Sequence, residues 1–95
     1  MSLENVTVEA FEPMVGEAFR VMRDDGEPAV FLKLVSATKY GSSERPFSLV
    51  FEGSSEFPYP QQILRLEQPS GVLIELFLVP LSDNATLRRY EAVFN

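Results

Sequence analysis

Glutamates are the side chains of this sequence whose type and spacing could do chemistry. Four of them fall in four separate segments that alternate apolar and polar residues: Glu52, Glu67, Glu75 and Glu91. Two carboxylates that face each other across a cleft, about 5–10 Å apart, can hydrolyse a glycosidic bond. No local motif brings any two of the four together, so a carboxylate-based hydrolase is the weakest functional hypothesis.

His and Cys are both absent from the 95 residues. Without them the chain has no imidazole base and no thiolate nucleophile, and zinc, copper and iron lose their usual nitrogen and sulfur ligands. The densest carboxylate cluster, Asp24-Asp25-Gly26-Glu27, lacks the ligand spacing of a calcium loop and predicts a hairpin turn. We therefore expect no enzyme activity, no catalytic residue, no cofactor and no metal site.

The charge of the chain is acidic and unevenly spread. The formal net charge is −6, and residues 1–27 contribute seven acids against two arginines. Such a segment repels phosphate backbones and anionic lipids, so a nucleic-acid partner is not expected. The longest apolar stretch, Val72 to Leu81, is too short to cross a bilayer, and the first residues show no signal peptide. We expect no membrane insertion and a cytoplasmic location.

Apolar and polar residues alternate with the period of a β-strand along most of the chain. Thr7 is a candidate N-cap of a short N-terminal helical turn that ends at Pro13 and Gly16. Six strands are predicted after it, at residues 17–23, 29–37, 47–53, 62–67, 72–79 and 87–94. Because no long crossover separates them, we predict one all-β domain over residues 1–95. It is a six-stranded antiparallel meander that closes into a small barrel or a sandwich.

Two predicted strands carry apolar residues on their second face, where a one-sided antiparallel sheet has polar ones. They are Phe31 and Val35 in the second strand, and Leu73, Phe77 and Val79 in the fifth. Either the fold covers these side chains internally, or a protein partner or a second copy of the chain does. The five are candidate interaction residues, and the last strand is expected to offer an exposed edge for pairing with another chain.

The segment Glu56-Phe57-Pro58-Tyr59-Pro60-Gln61 is a candidate binding loop by composition. Phe57 and Tyr59 offer large contact areas, and the prolines restrict the backbone. The alternative is a stiff loop whose aromatic residues cap one end of the barrel. A small ligand-binding barrel gated by Phe57 and Tyr59 is the second functional hypothesis, although so few strands enclose little space.

Several stretches carry a family resemblance: Phe11 to Gly16, Pro46 to Gly53, Leu66 to Pro69, Leu76 to Pro80 and the ending Tyr90-Glu91-Ala92-Val93-Phe94-Asn95. Together they resemble a family of small bacterial domains of unknown function over nearly the whole chain. The resemblance implies an association with phage-tail-like or collar proteins, and it carries over no site residue. The leading hypothesis is a non-enzymatic structural or protein-interaction domain, an oligomeric accessory of a phage-tail-like or surface assembly.

Overall fold

The computed structural model describes residues 7–23, 29–41, 46–55, 59–83 and 86–94 of the chain. In these residues six antiparallel strands form a closed barrel, preceded by a short helix. The strands are β1 (Ala18–Val21), β2 (Val30–Lys39), β3 (Phe47–Ser54), β4 (Gln62–Glu67), β5 (Leu73–Asp83) and β6 (Leu87–Phe94). The helix α1 (Val8–Phe11) continues into a 3-10 turn (Glu12–Met14). The predicted all-β class is confirmed, and its closed form is a barrel.

The strand order around the barrel is β1-β2-β3-β6-β5-β4. It differs from a simple meander because β3 pairs with β6 and β4 pairs with β1. Strands β3 and β4, which are consecutive in the chain, therefore lie on opposite sides of the barrel. The last strand, β6, is hydrogen-bonded to β3 on one side and to β5 on the other. The predicted exposed edge at the end of the chain is wrong, because closure pairs this strand on both sides.

Inward-facing side chains fill the barrel. The alternation of β3 turns Phe47, Leu49 and Phe51 inward, and all three are fully buried. The rings of Phe47 and Phe94 stack with centroids 4.5 Å apart. The packing is tight near the other end of β3, where a Cβ added to Gly53 would lie 2.5 Å from a methyl carbon of the buried Leu32. The interior is a packed core of the density usual in proteins.

The short helix α1 closes the barrel end at which β3 begins and β6 ends. Its buried Phe11 has a ring centroid 6.1 Å from that of Phe47 and 6.0 Å from that of Phe94. Thr7 occupies the N-cap position as predicted, but its side chain makes no capping hydrogen bond. The helix is therefore held by burial of its apolar side. No helix in the described segments is long and apolar enough to cross a membrane.

Strand β5 continues past the point at which the sequence predicts its end. The sequence predicts the end of this strand at Val79, yet Pro80 lies opposite Tyr90 in the ladder with β6. The register shifts between Pro80 and Asp83. A bulge of this kind accommodates a residue that has no N–H to donate, so the strand bends and goes on.

Candidate interaction surface

Three apolar side chains form a row across the outer face of β4, β5 and β6. Ile63 of β4 lies opposite Phe77 of β5. In the ladder between β5 and β6, Val79 lies opposite Glu91. Phe77 precedes Val79 by two residues and Val93 follows Glu91 by two. In this antiparallel register Phe77 and Val93 are therefore neighbours across the two strands. The exposed fractions are 64% for Ile63, 50% for Phe77 and 53% for Val93. Since adjacent strands lie about 4.8 Å apart, the row spans roughly 10 Å. We call Ile63, Phe77 and Val93 the apolar row.

The sequence of β5 forces part of this row outward. Successive residues of a strand point to opposite faces of the sheet, and β5 has apolar residues in both sets. Ile74, Leu76 and Leu78 are buried in the barrel interior. Leu73 and Phe77 then have to face outward, and both are exposed. The barrel can bury only one of the two apolar sets.

An open groove lies beside the apolar row, with a volume of ≈ 440 Å³. Its lining comes from β4, β5 and the residues that follow β1: Met22, Arg23, Ile63, Arg65 and Glu75. Arg65 and Glu75 are opposite each other in the β4–β5 ladder and both are exposed. Ile63 belongs both to the apolar row and to the lining of the groove. The projecting apolar row and the groove, which has charges of both signs, are therefore adjacent on one face.

The glutamates that could have formed a hydrolase site all lie on strands of the barrel wall. Glu67 accepts a hydrogen bond from Arg20 Nε at 3.0 Å, and Glu52 accepts one from Arg89 Nε at 3.1 Å. Both pairs are partly exposed, where such bridges contribute about 0–1 kcal/mol. The neighbours of Glu52, Glu67, Glu75 and Glu91 along their strands are inward and buried, so the four carboxylates point to the convex outside. Among the residues that the structure describes, no element faces that surface to form a cleft between two of these carboxylates.

Metal ligands are not assembled either: in the part of the chain that the structure describes, no group of three or more Asp and Glu side chains is placed to hold an ion. The face of β4, β5 and β6 therefore offers apolar contact and complementary charge, which suit binding to another protein surface.

A family model described as a domain of unknown function, DUF6916, matches residues 6–94. The chain belongs to this family. The predicted membership of a family of small domains of unknown function is thereby confirmed. No curated protein and no solved structure matches the chain.

The DUF6916 barrel exposes three of the five second-face side chains that the sequence analysis named. Phe31, Leu73 and Phe77 are exposed, so the described residues of the fold do not cover them internally, which was one of the two alternatives. The helix α1 closes a barrel end and does not reach across the outer face of β5. Val35 and Val79 are partly buried.

The structure separates one of these residues from the others. Phe31 lies on β2, opposite Arg20 of β1, and both β1 and β4 stand between it and β5. It is as exposed as Phe77, at 53%, but its neighbour across the ladder is a charged residue that is already ion-paired. Phe31 is thus outside the candidate surface and serves as a matched control.

The predicted binding loop between β3 and β4 contains two aromatic residues, Phe57 and Tyr59. The structure describes Tyr59, and Phe57 lies outside the described residues. Tyr59 is partly buried and packs against the core. Its backbone N–H donates to the hydroxyl oxygen of the buried Tyr90 at 3.0 Å. Tyr59 therefore packs on the barrel, which is the contact that the capping alternative expects of this residue.

Two members of the apolar row were missed in the sequence. Ile63 shares its strand face with Arg65, and Val93 shares its own with Glu91. Because of these charged residues, the outward faces of both strands were interpreted as polar. The signal that could have found them is their position in the alternation: Ile63 is the apolar residue on a charged strand face, and Val93 has the same outward parity as Arg89 and Glu91.

Proposed function

We propose that this domain is a non-enzymatic protein-interaction domain whose contact surface is the outer face of β4, β5 and β6. The observation that carries the proposal is the apolar row, in which Ile63, Phe77 and Val93 are half or more exposed on three adjacent strands. Full burial of one such side chain contributes about 1.5–3 kcal/mol. A partner that covers the exposed parts of these three side chains is therefore stabilised by roughly 2–4 kcal/mol of binding free energy from apolar contact.

Barrel closure determines the mode of contact. Every described strand has a hydrogen-bonded neighbour on each side, so partner binding by addition of a strand to a free edge is disfavoured. The partner is instead expected to present a folded surface with apolar side chains that pack against the row. Complementary charges opposite Arg65 and Glu75 set its orientation.

The alternative of a ligand-binding barrel is opposed by the filled interior. A ligand would have to displace stacked rings such as those of Phe47 and Phe94, or the hydrogen-bonded pair of Tyr59 and Tyr90. An accessory role in a phage-tail-like or surface assembly is one setting in which an interaction domain acts. The family resemblance alone suggests that setting.

Photo-crosslinking in cells tests the proposal. A photoreactive phenylalanine analogue at position 77 should give covalent adducts with a partner, because that side chain lies in the contact surface. The matched control carries the same analogue at position 31, where the native side chain is a phenylalanine of nearly equal exposure. Adducts at position 77 that do not exceed those at position 31 would contradict the proposed function.

A further inference from the structure

We infer that the partner of this face is a second copy of the chain, docked about a two-fold axis with Phe77 of each copy in the groove of the other. The inference rests on the proposed function and names the partner. It follows from the shape of the face and from its charges.

The shape of the face is self-complementary. A two-fold interface uses the same patch on both molecules, so each projection must find its recess in that same patch. Phe77 projects beside a groove that holds ≈ 440 Å³, and Ile63 forms the boundary between them. An axis that lies in the plane of the interface and runs between projection and groove places each Phe77 over the other copy's recess. A surface with only a projection would need an unrelated partner.

The charges in the groove match under the same operation. Arg65 and Glu75 lie opposite each other in the ladder and both line the groove. Rotation about the axis brings Arg65 of one copy toward Glu75 of the other, and the reverse contact forms at the same time. Both contacts join opposite charges, which favours this docking over one in which like charges meet.

The face also carries little net charge, so two copies of this acidic molecule repel each other only weakly there. Strands β4, β5 and β6 together contain three arginines and four acidic residues, a formal charge of −1. The whole chain carries −6, of which residues 1–27 hold seven acids and two arginines. A basic partner would be drawn to that acidic segment instead. A near-neutral apolar face is where a second copy can approach.

The area of the face predicts weak association. An apolar patch on the surface of a monomer typically exposes about 300–600 Å², whereas each partner in a standard stable interface buries about 800 Å². The dimer is therefore expected to dissociate in the micromolar range or above and to change with protein concentration.

Molar mass in solution is the first readout. Light scattering across about 10 µM to 1 mM should show the wild-type mass rising from 10.7 kDa toward twice that value. Phe77→Ser should weaken dimerisation at least about tenfold, because aromatic anchors dominate such interfaces. Phe31→Ser, which removes an equally exposed phenylalanine on β2, should leave dimerisation unchanged.

Charge-reversal variants distinguish the specific two-fold contact from non-specific association. Arg65→Glu alone and Glu75→Arg alone each place like charges in both contacts of the dimer, so each variant should be monomeric. When the two variants are mixed, both contacts again join opposite charges, and a heterodimer should form. A circular-dichroism spectrum and unfolding midpoint for each variant exclude loss of fold as the cause.

Failure of this inference can be told apart from failure of the proposed function. A wild-type protein that stays at 10.7 kDa throughout, or a mixture that stays monomeric, overturns the two-fold dimer. An adduct at position 77 of twice the chain mass supports it, while an adduct with a different protein overturns it and retains the interaction function. Absence of adducts at position 77 overturns both.

Discussion

Replacing Phe47 by alanine is expected to lower the free energy of unfolding by about 3–5 kcal/mol. Phe47 is fully buried, stacks on Phe94 and touches the ring of Phe11, so its removal leaves a cavity that joins β3, β6 and α1. Domains of this kind are stable by about 5–15 kcal/mol, and small ones lie at the low end. Equilibrium urea unfolding followed by circular dichroism should show a large shift of the midpoint.

Phe31→Ala is the control for this experiment because it truncates a phenylalanine that is half exposed on the outer face. Its cost is expected to stay below about 1 kcal/mol, since surface truncations away from special contacts have small effects. Equal losses for the two variants would contradict the description of the interior as a packed core.

Tyr90→Phe is expected to lower the free energy of unfolding by about 1–2 kcal/mol. The Tyr90 hydroxyl accepts the backbone N–H of Tyr59, three residues before β4, at 3.0 Å. Without the hydroxyl this N–H loses its described acceptor in a partly buried place, whereas the ring of residue 90 keeps its packing. The measurement is urea unfolding together with amide hydrogen exchange by NMR.

Hydrogen exchange separates a local effect from a global one in this variant. The amide of Tyr59 should exchange faster in Tyr90→Phe under conditions in which local opening dominates. The amide of Met22, which donates to the carbonyl of Arg65 at 2.9 Å where β1 meets β4, should be unaffected. An unchanged exchange rate at Tyr59 would show that the hydroxyl does not hold the connection.

The strands of this barrel were largely predictable because alternation of apolar and polar residues is a local signal. β4 and β6 have the predicted bounds, and β3 differs at one residue. The pairing of β3 with β6 was not predictable in the same way, since it depends on closure of the whole sheet. The continuation of β5 through Pro80 was also not predictable from the sequence, because a bulge depends on how the strand pairs with its partner.

The candidate surface was predictable in part. Phe77 and Leu73 were identified from the second apolar face of their strand, but alternation does not say which face meets water. Closure into a barrel decided that question, since the convex outside of β5 has no described element packed on it. The groove was not predictable, because its lining comes from three segments that are distant in sequence. Only the fold brings Met22, Ile63 and Glu75 to the same groove.

We propose that the outer face of β4, β5 and β6 is covered by a partner in the cell. Hydroxyl-radical footprinting of the native chain, in living cells and in dilute purified protein, tests it most directly. The predicted result is a severalfold drop in Phe77 oxidation in cells, with Phe31 oxidised equally in both samples. Equal oxidation of Phe77 in both samples would contradict the claim.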